Sequence, residues 1–508
     1  MSDYQMPTFA IWAREDRDTV AIVDSDGSEI TVGEIQDRSN QIARNLRAAG
    51  VQRNDAVAIC LRNGAEVLEV ALATAQIGVY LVPINWHLTK YEAHYIAEDS
   101  GAKIVVCSPD LVGICAGGDW TTFTPGGSDA EGVRDYAELK SGSTEAPEER
   151  VAGGVMTYTS GTTGQPKGVR RPLPDAPPEP VVSGYAMFLL MYGMTPGEGV
   201  HLVVSPMYHT AVVYFASSAL HLGHKVVIMD KWTPRGMLEA IESQRVTNSH
   251  MVPTQFVRLL EVEDKERYDI SSLKHMIHSA APCPTTVKYD MLDWWGDVVY
   301  EYYAASEGGG TMVTPQEWRE RPGTVGKAWQ TAEVAIFDDE GYRKPAGEIG
   351  TVYIKMAQGF EYHGDKDKTE KAWRTDGYFT VGDAGYMDEE GYLFLSDRKA
   401  DMIISGGVNI YPAEIENVLM GHPRVLDVAA FGIPDDDWGE QVKAVMEVRG
   451  DANAELEAEI LSWAKERLAK FKCPRSIDFV ENLPRDPNGK LKKRTLRDPY
   501  WEGRERQI

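Results

Sequence analysis

Cysteine is scarce in this chain and is nowhere arranged for metal. The 508 residues contain five cysteines, Cys60, Cys107, Cys115, Cys283 and Cys473, and none has a partner at the short spacing of a zinc site. That excludes a Cys-based metal knuckle and fits free thiols in a reducing compartment. Positive charge is also in deficit: 52 Lys and Arg face 77 Asp and Glu, for a net charge of −25. A general nucleic-acid binder is excluded by that balance, which suits a cytoplasmic protein instead. Long apolar runs are missing. The most apolar window, Val181–Met194, is interrupted by Gly, Ser and Tyr and is too short to cross a bilayer, so no membrane span is expected. The first 18 residues carry charge and no apolar centre, so no secretory leader is expected. No repeat period is visible.

What is present is a length too great for one hydrophobic core, so two or more domains are expected. Hydrophobic residues make up 43%, an ordinary globular share. Thr31 and Glu34 form a capping-box pattern, and Ile35, Ile42 and Leu46 follow at helical spacing until Gly50. Apolar runs at Ala56–Leu61, Leu81–Ile84 and Ile104–Val106 read as strands, with a helix over Ala65–Ile77 between the first two. The alternation predicts an α/β layered sheet. The stretch Cys115–Glu149 reads as surface loop. Further strands are predicted at Val200–Val204, Lys225–Met229, Ser249–Val252, His275–Ser279 and Val298–Tyr303. Ala332–Phe337, Gly350–Lys355 and Tyr392–Leu395 read as a smaller β-rich piece. Prolines at 172, 174, 177 and 178 forbid helix immediately after Arg171 and mark a stiff connector. Beyond Asp397–Ala400, Pro412 opens a helix carrying Ile415, Val418 and Leu419, the start of a short α+β module.

One stretch organises the rest. Val155–Met156 lead as a strand into Thr157-Tyr158-Thr159-Ser160-Gly161-Thr162-Thr163-Gly164-Gln165-Pro166-Lys167-Gly168-Val169. Glycines let a backbone turn bring successive N–H groups onto one anion, hydroxyls add donors, and Lys167 adds a point charge. This composition grips phosphate; the alternative is a polar surface turn. It is not a Walker loop, because Gly168 rather than Ser or Thr follows Lys167.

The stretch resembles the phosphate loop of the adenylate-forming enzymes, the superfamily of acyl-CoA synthetases, luciferases and peptide-synthetase adenylation domains. Matching stretches follow in order to Lys490, so the resemblance spans nearly the whole chain. It implies a large N-terminal α/β domain of layered sheets (1–397) and a small mobile α+β lid (398–508), with Ala400 as a candidate pivot. It implies ATP, Mg2+ and coenzyme A as ligands. Thr159, Ser160, Gly161, Thr162, Thr163, Gly164 and Lys167 would hold phosphate. Ala280, Ala281 and Pro282 would admit adenine, Tyr303 would stack on it with Tyr302, Ala304 and Ser306 alongside, and Glu307 would hold the metal. Asp383 and Arg398 would bind ribose. Lys490, Thr162, His209 and Glu307 would be catalytic, with Lys490 serving adenylation. His209, Ala211, Val212, Tyr302, Ala304 and Ala305 would border the acyl group. Gly406 and Gly407 would line a pantetheine tunnel, and Trp438 either faces coenzyme A or is ordinary packing. The sequence departs from the family pattern at Ala304, where Gly is usual, and at Ser306, where Thr is usual; Ala304 adds a methyl at the pocket floor.

The expected reaction is ATP-dependent joining of a carboxylic acid to coenzyme A through acyl-AMP. The walls Ala186–Tyr192, Thr210–Phe215 and Tyr302–Ala305 are apolar and aromatic, and no carboxylate lies within Tyr208–Phe215 to pair an α-ammonium. Amino acids are therefore disfavoured, since a buried ammonium without a partner is costly. A fatty, aryl or polycyclic acid remains. The rivals are adenylation for a carrier protein or other acceptor, and a catalytically idle nucleotide-binding protein. A homodimer is compatible with all three.

Overall fold

Continuous apolar runs such as Ala56–Cys60 suit strands covered on both faces, which is the situation in a parallel sheet. The structure, a computed structural model, places that strand at the centre of such a sheet, with all five of its residues buried. It describes residues 8–159, 165–398 (397 and 398 by backbone alone), 401–486 and 489–502. The chain divides into two compact units: Met1–His250 with Glu266–Met276 and Gln358–Lys371, and Met251–Lys265 with Ile277–Ala357 and Ala372–Ile508.

The first unit holds the central parallel sheet, in the order Val133–Asp135, Thr121–Thr124, Ala102–Cys107, Ala56–Cys60, Tyr80–Pro83, Gly154–Val155. Alongside it, Val200–Val203 pairs in parallel with Lys225–Ile228 and Asn248–Met251. Val20–Val23 pairs in parallel with Lys225–Ile228 and antiparallel with Glu29–Thr31. Helices cover the sheets as the periodicity predicts. Val32–Ala48 starts at a complete Thr31/Glu34 capping box and buries Ile35, Ile42 and Leu46. Two expectations are corrected. Cys115–Glu149 is not all loop, because the polar segments Thr121–Thr124 and Val133–Asp135 are strands added to the sheet edge. The proline-rich connector ends sooner than expected: Pro178 opens the helix Pro178–Leu190, at a first-turn position where a missing N–H costs nothing.

The second unit contains three β pieces. Val299–Ala304, Gly310–Val313 and Lys327–Ala328 pair antiparallel. Ala332–Phe337, Gly350–Met356, Asp383–Met387 and Leu393–Arg398 form a four-stranded antiparallel sheet. The C-terminal module pairs Val425–Asp435 with Gly439–Val448, the latter also meeting Ile403–Ser405 and, in parallel, Ser476–Phe479. Its helices Pro412–Met420 and Ala454–Arg467 bury Ile415, Leu419, Leu456 and Ile460 in a core shared with Ile403, Ile410 and Met446. The fold is thus α/β, with a large N-terminal body of sheets and a small C-terminal domain. No described helix is long and apolar enough to cross a membrane.

Candidate functional site

In the first unit the described arms of the stretch expected to hold phosphate pair as antiparallel strands. Thr157–Thr159 pairs with Lys167–Arg170, and Lys167 stands opposite Thr159. The tip itself, with Ser160, Gly161, Thr162, Thr163 and Gly164, lies outside the described residues. The arms are anchored on both sides. The Tyr158 hydroxyl donates to Asp99 at 2.7 Å, and burial holds that phenol well above its ordinary value. The Thr210 hydroxyl donates to the Thr157 hydroxyl at 2.9 Å, tying the hairpin to the first turn of the helix Thr210–His221. The Lys167 ammonium lies 3.7 Å from Asp365. The backbone N–H of Lys368 holds the Asp365 carboxyl low, with Lys167 adding to the effect.

His209 is the N-cap residue of that same helix. Its Nε2 is buried with no hydrogen-bond partner among the described residues. Burial, with His87 adding, pushes the imidazole down to about 3, so it is neutral. A buried polar atom of this kind is a candidate contact for a polar group of a substrate. Ala211 is partly buried and Val212 fully so. The predicted apolar wall is an aromatic cluster: Phe188 meets Tyr192, Tyr214 and Phe215 edge-on at 5.5, 5.3 and 5.3 Å. The sequence reading missed what lies behind it. His250 and His201 stack on Phe215 at 4.8 and 6.5 Å, so the wall is backed by neutral imidazoles. Strand alternation at His201, Val203 and at Asn248, His250 carried that signal.

In the second unit, Ser279, Ala280, Ala281 and Pro282 follow the strand His275–His278. Ala280 is left-handed, with φ +75°. Few non-glycine residues adopt that conformation, which persists only where neighbours enforce it. The Tyr303 hydroxyl donates to Asp383 at 2.6 Å, and Asp383 stands opposite Arg398 in the strand register. Three stretches about 80 and 15 positions apart in the chain therefore meet. The Arg398 side chain lies outside the described residues. Tyr302 is buried, which lifts its phenol to about 12. Ala304 pairs with Gly310, where any Cβ would lie 2.1 Å from the Tyr303 carbonyl. Ala304, Ala305 and Ser306 are partly buried, and Glu307 is 6% exposed. A single carboxylate of this kind fits Mg2+, which keeps waters and takes its other oxygens from phosphates. Among the described residues no group of three or more possible metal ligands occurs.

Lys490 sits in a small hairpin. Its backbone N–H donates to the Asp486 carboxylate at 2.8 Å, and its carbonyl accepts from the Asp486 N–H at 2.9 Å. Arg485 fastens the hairpin by a two-pronged bond to Asp427, at 2.8 and 2.6 Å. Gly489 has φ +77°, and a Cβ there would lie 2.3 Å from the Thr254 hydroxyl, so only glycine fits. Gly406 and Gly407 form the two-residue turn between Ile403–Ser405 and Val408–Ile410, both with positive φ as a type I′ turn requires. The Gly406 N–H donates to the Trp438 carbonyl at 2.8 Å. A Cβ on Gly406 would lie 2.5 Å from the Trp438 ring, which is 51% exposed. Ala400 lies outside the described residues.

Sequence reasoning also missed Lys288, which is fully buried in the helix Thr285–Trp295. Its place beside Met291, Leu292 and Trp295 at helical spacing was the available signal.

Residues 9–361 match the family described as AMP-binding enzyme, and residues 414–490 match its C-terminal domain. The chain is 32% identical to the long-chain-fatty-acid–CoA ligase FadD13 of Mycobacterium tuberculosis, over 93% of each chain. It is 29% identical to the fatty acid–[acyl-carrier-protein] ligase ScoC of Streptomyces coeruleorubidus, over 99% of this chain and 97% of that protein. Among solved structures it superposes on ATP-bound MatB from Rhodopseudomonas palustris with a TM-score of 0.84 and 30% identity, covering 97% of this chain and 99% of that one.

Proposed function

The chain belongs to the AMP-binding enzymes, and within that family we propose that it activates a hydrophobic carboxylic acid with ATP and transfers the acyl group to coenzyme A. The observation that carries this reading is the Tyr303–Asp383 hydrogen bond at 2.6 Å with Arg398 in register beside it. It joins an aromatic face for a base to a carboxylate that can accept from both ribose hydroxyls. An idle nucleotide-binding protein would share that group, and it is Lys490, Glu307 and the phosphate loop that argue for catalysis.

In the first half-reaction a carboxylate oxygen of the acid attacks the α-phosphorus of ATP and pyrophosphate leaves. Positioning and charge stabilisation supply most of the catalysis in such a step. Lys167 and the hydroxyls of the hairpin tip hold phosphate. Lys490, on its clamped hairpin, places a positive charge for the developing negative one. His209 is neutral, so it serves the acid as a hydrogen-bond donor rather than as a counter-charge. Mg2+ held by Glu307 and phosphate oxygens supplies charge neutralisation when bound. In the second half-reaction the thiol of coenzyme A, giving its proton to solvent, attacks the acyl carbonyl, and AMP leaves with the bridging oxygen as the acyl carbon–oxygen bond breaks. Gly406 and Gly407 give a thin pantetheine arm room to pass, beside Trp438.

Among acids, the aromatic wall of Phe188, Tyr192, Tyr214 and Phe215 favours aliphatic chains of about six carbons or more, or aryl and polycyclic acids, at ~0.8 kcal/mol per buried CH2. The relatives named above differ in acceptor, one being a CoA ligase and one a carrier-protein ligase, so the acceptor belongs in the test. A carboxylate panel is scored by pyrophosphate release, with thioester followed by mass in the presence of coenzyme A or a phosphopantetheinylated carrier protein. Apolar acids with coenzyme A should give the highest kcat/KM. Acetate as the best acid would overturn the substrate class, and thioester on the carrier alone would overturn the acceptor.

A further inference from the structure

In the second unit one buried ammonium touches both strands that lead into the nucleotide-side residues, and the helix that carries it follows the loop between them. Lys288, 0% exposed, projects from the helix Thr285–Trp295. It donates to a carboxylate oxygen of Glu301 at 3.0 Å and to Nε2 of His278. As an ammonium Lys288 has donors only, which makes Nε2 of His278 the acceptor. The ring of Trp318 lies 5.3 Å from that charge, and Phe256 meets His278 edge-on at 5.1 Å. The two partners are placed alike. His278 ends its strand two residues before Ala280, and Glu301 stands two residues before Tyr303. Between His278 and the helix runs Ser279–Pro284, the segment with the left-handed Ala280.

We propose that Lys288 is a positioning residue for the nucleotide: by pinning His278 and Glu301 to one point it holds Ala280 in its left-handed conformation and sets Tyr303 in place. This rests on the proposed reading of the site as ATP-binding. Apolar residues of the same volume could fill the space around Lys288, but they would not dictate a single offset between the two strand ends. Two charge-assisted hydrogen bonds do, because a buried charge tolerates only the geometry that satisfies it. Alanine does not keep a positive φ unaided, whereas glycine does. The role of Lys288 is therefore separable from general packing.

The test uses the full chain and measures displacement of a trinitrophenyl-ATP probe by ATP and by GTP. Lys288→Met alone strands the Glu301 carboxylate, so the main variant is Lys288→Met with Glu301→Leu, which removes both charges. Lys288→Met with Glu301→Gln replaces it if the first does not fold. The variant should melt cooperatively near the wild-type temperature yet bind ATP about tenfold or more weakly, with its preference for ATP over GTP reduced, as misplaced contacts imply. In pyrophosphate release, KM for ATP should rise while KM for the acid stays. Adding Ala280→Gly to the same variant should restore ATP affinity, since glycine reaches the required φ without help. Unchanged ATP affinity overturns the proposal, and so does a loss that Ala280→Gly does not rescue, because that marks a role in packing alone. A wild-type chain that binds no ATP sinks the reading of the site and this inference together. Wild-type activity with an unperturbed variant sinks only the inference.

Discussion

Acidification should unfold the first unit well above the pH at which carboxylates titrate, because that unit buries neutral histidines. His201, His221 and His250 are at most 5% exposed, and burial pushes them down to about 4, about 4 and about 3 from an ordinary 6.5. The Nδ1 atoms of His221 and His224 accept hydrogen bonds and must therefore be unprotonated, while His201 and His250 are kept neutral by burial. His201 Nδ1 donates to Asn248 at 2.7 Å, and the Asn248 amide donates to His224 Nδ1 at 3.2 Å. His224 Nε2 donates to the Thr195 carbonyl at 2.8 Å. His221 Nδ1 accepts from the Phe9 N–H at 3.2 Å, which ties down the N-terminal helix Phe9–Glu15. Each folded value lies below 6.5, so beneath that pH the unfolded chain holds more protons and stability falls as pH falls. Above it these groups contribute nothing. At about pH 5 the deficit is about 1.5 units each, or about 2 kcal/mol per histidine and about 6 kcal/mol for the three. That is comparable with the whole stability of a typical domain, ~5–15 kcal/mol. Partly buried Glu66 acts in the opposite sense, since desolvation raises its carboxyl, but it is common to every variant and drops out of the differences. The assay is urea unfolding followed by tryptophan fluorescence between about pH 7.5 and about pH 5, on the wild type and on His201→Gln, His221→Gln and His250→Gln. Each substitution should remove about 2 kcal/mol of the pH-dependent loss, whatever it does to stability at neutral pH. A wild-type midpoint that is flat over this range, or variants that keep the full slope, would refute the reasoning.

Two further outcomes separate the half-reactions. Lys490→Ala should lose acyl-AMP formation by about 10²–10³-fold, the cost of removing one oriented charge donor, yet still make thioester from supplied acyl-AMP at nearly the wild-type rate. Single-turnover quenching of each half-reaction checks this. Gly407→Leu should behave in reverse, accumulating acyl-AMP while thioester formation fails. A Cβ at Gly407 meets nothing within 4 Å, so any loss comes from the obstructed arm or the strained φ of +79° rather than from a clash within the fold. Gly407→Ala, with the same strain and little bulk, separates the two.

The order of elements was legible in the sequence because it depends on local periodicity. Alternating or continuous apolar runs placed the strands at Ala56, Val200, Lys225 and His275, and Thr31 with Glu34 announced a helix whose capping box is complete. The candidate residues were named for a different reason: short stretches such as Thr157–Val169 and Tyr303–Glu307 resemble the pattern of the adenylate-forming enzymes, and their roles are proposals. What the sequence could not decide is any property that arises only when distant segments meet. Thr121–Thr124 and Val133–Asp135 are strands because a sheet edge was available to pair them, not because their own residues demand it. Tyr303 touches Asp383 across 80 positions, and Lys167 faces Asp365 across nearly 200. Lys288 shares the apolar face of its helix in the sequence, but only packing sets it against His278 and Glu301. Burial sets the cost of a charge, and burial is a property of the tertiary structure, so the neutral histidines and the buried ammonium became visible only there.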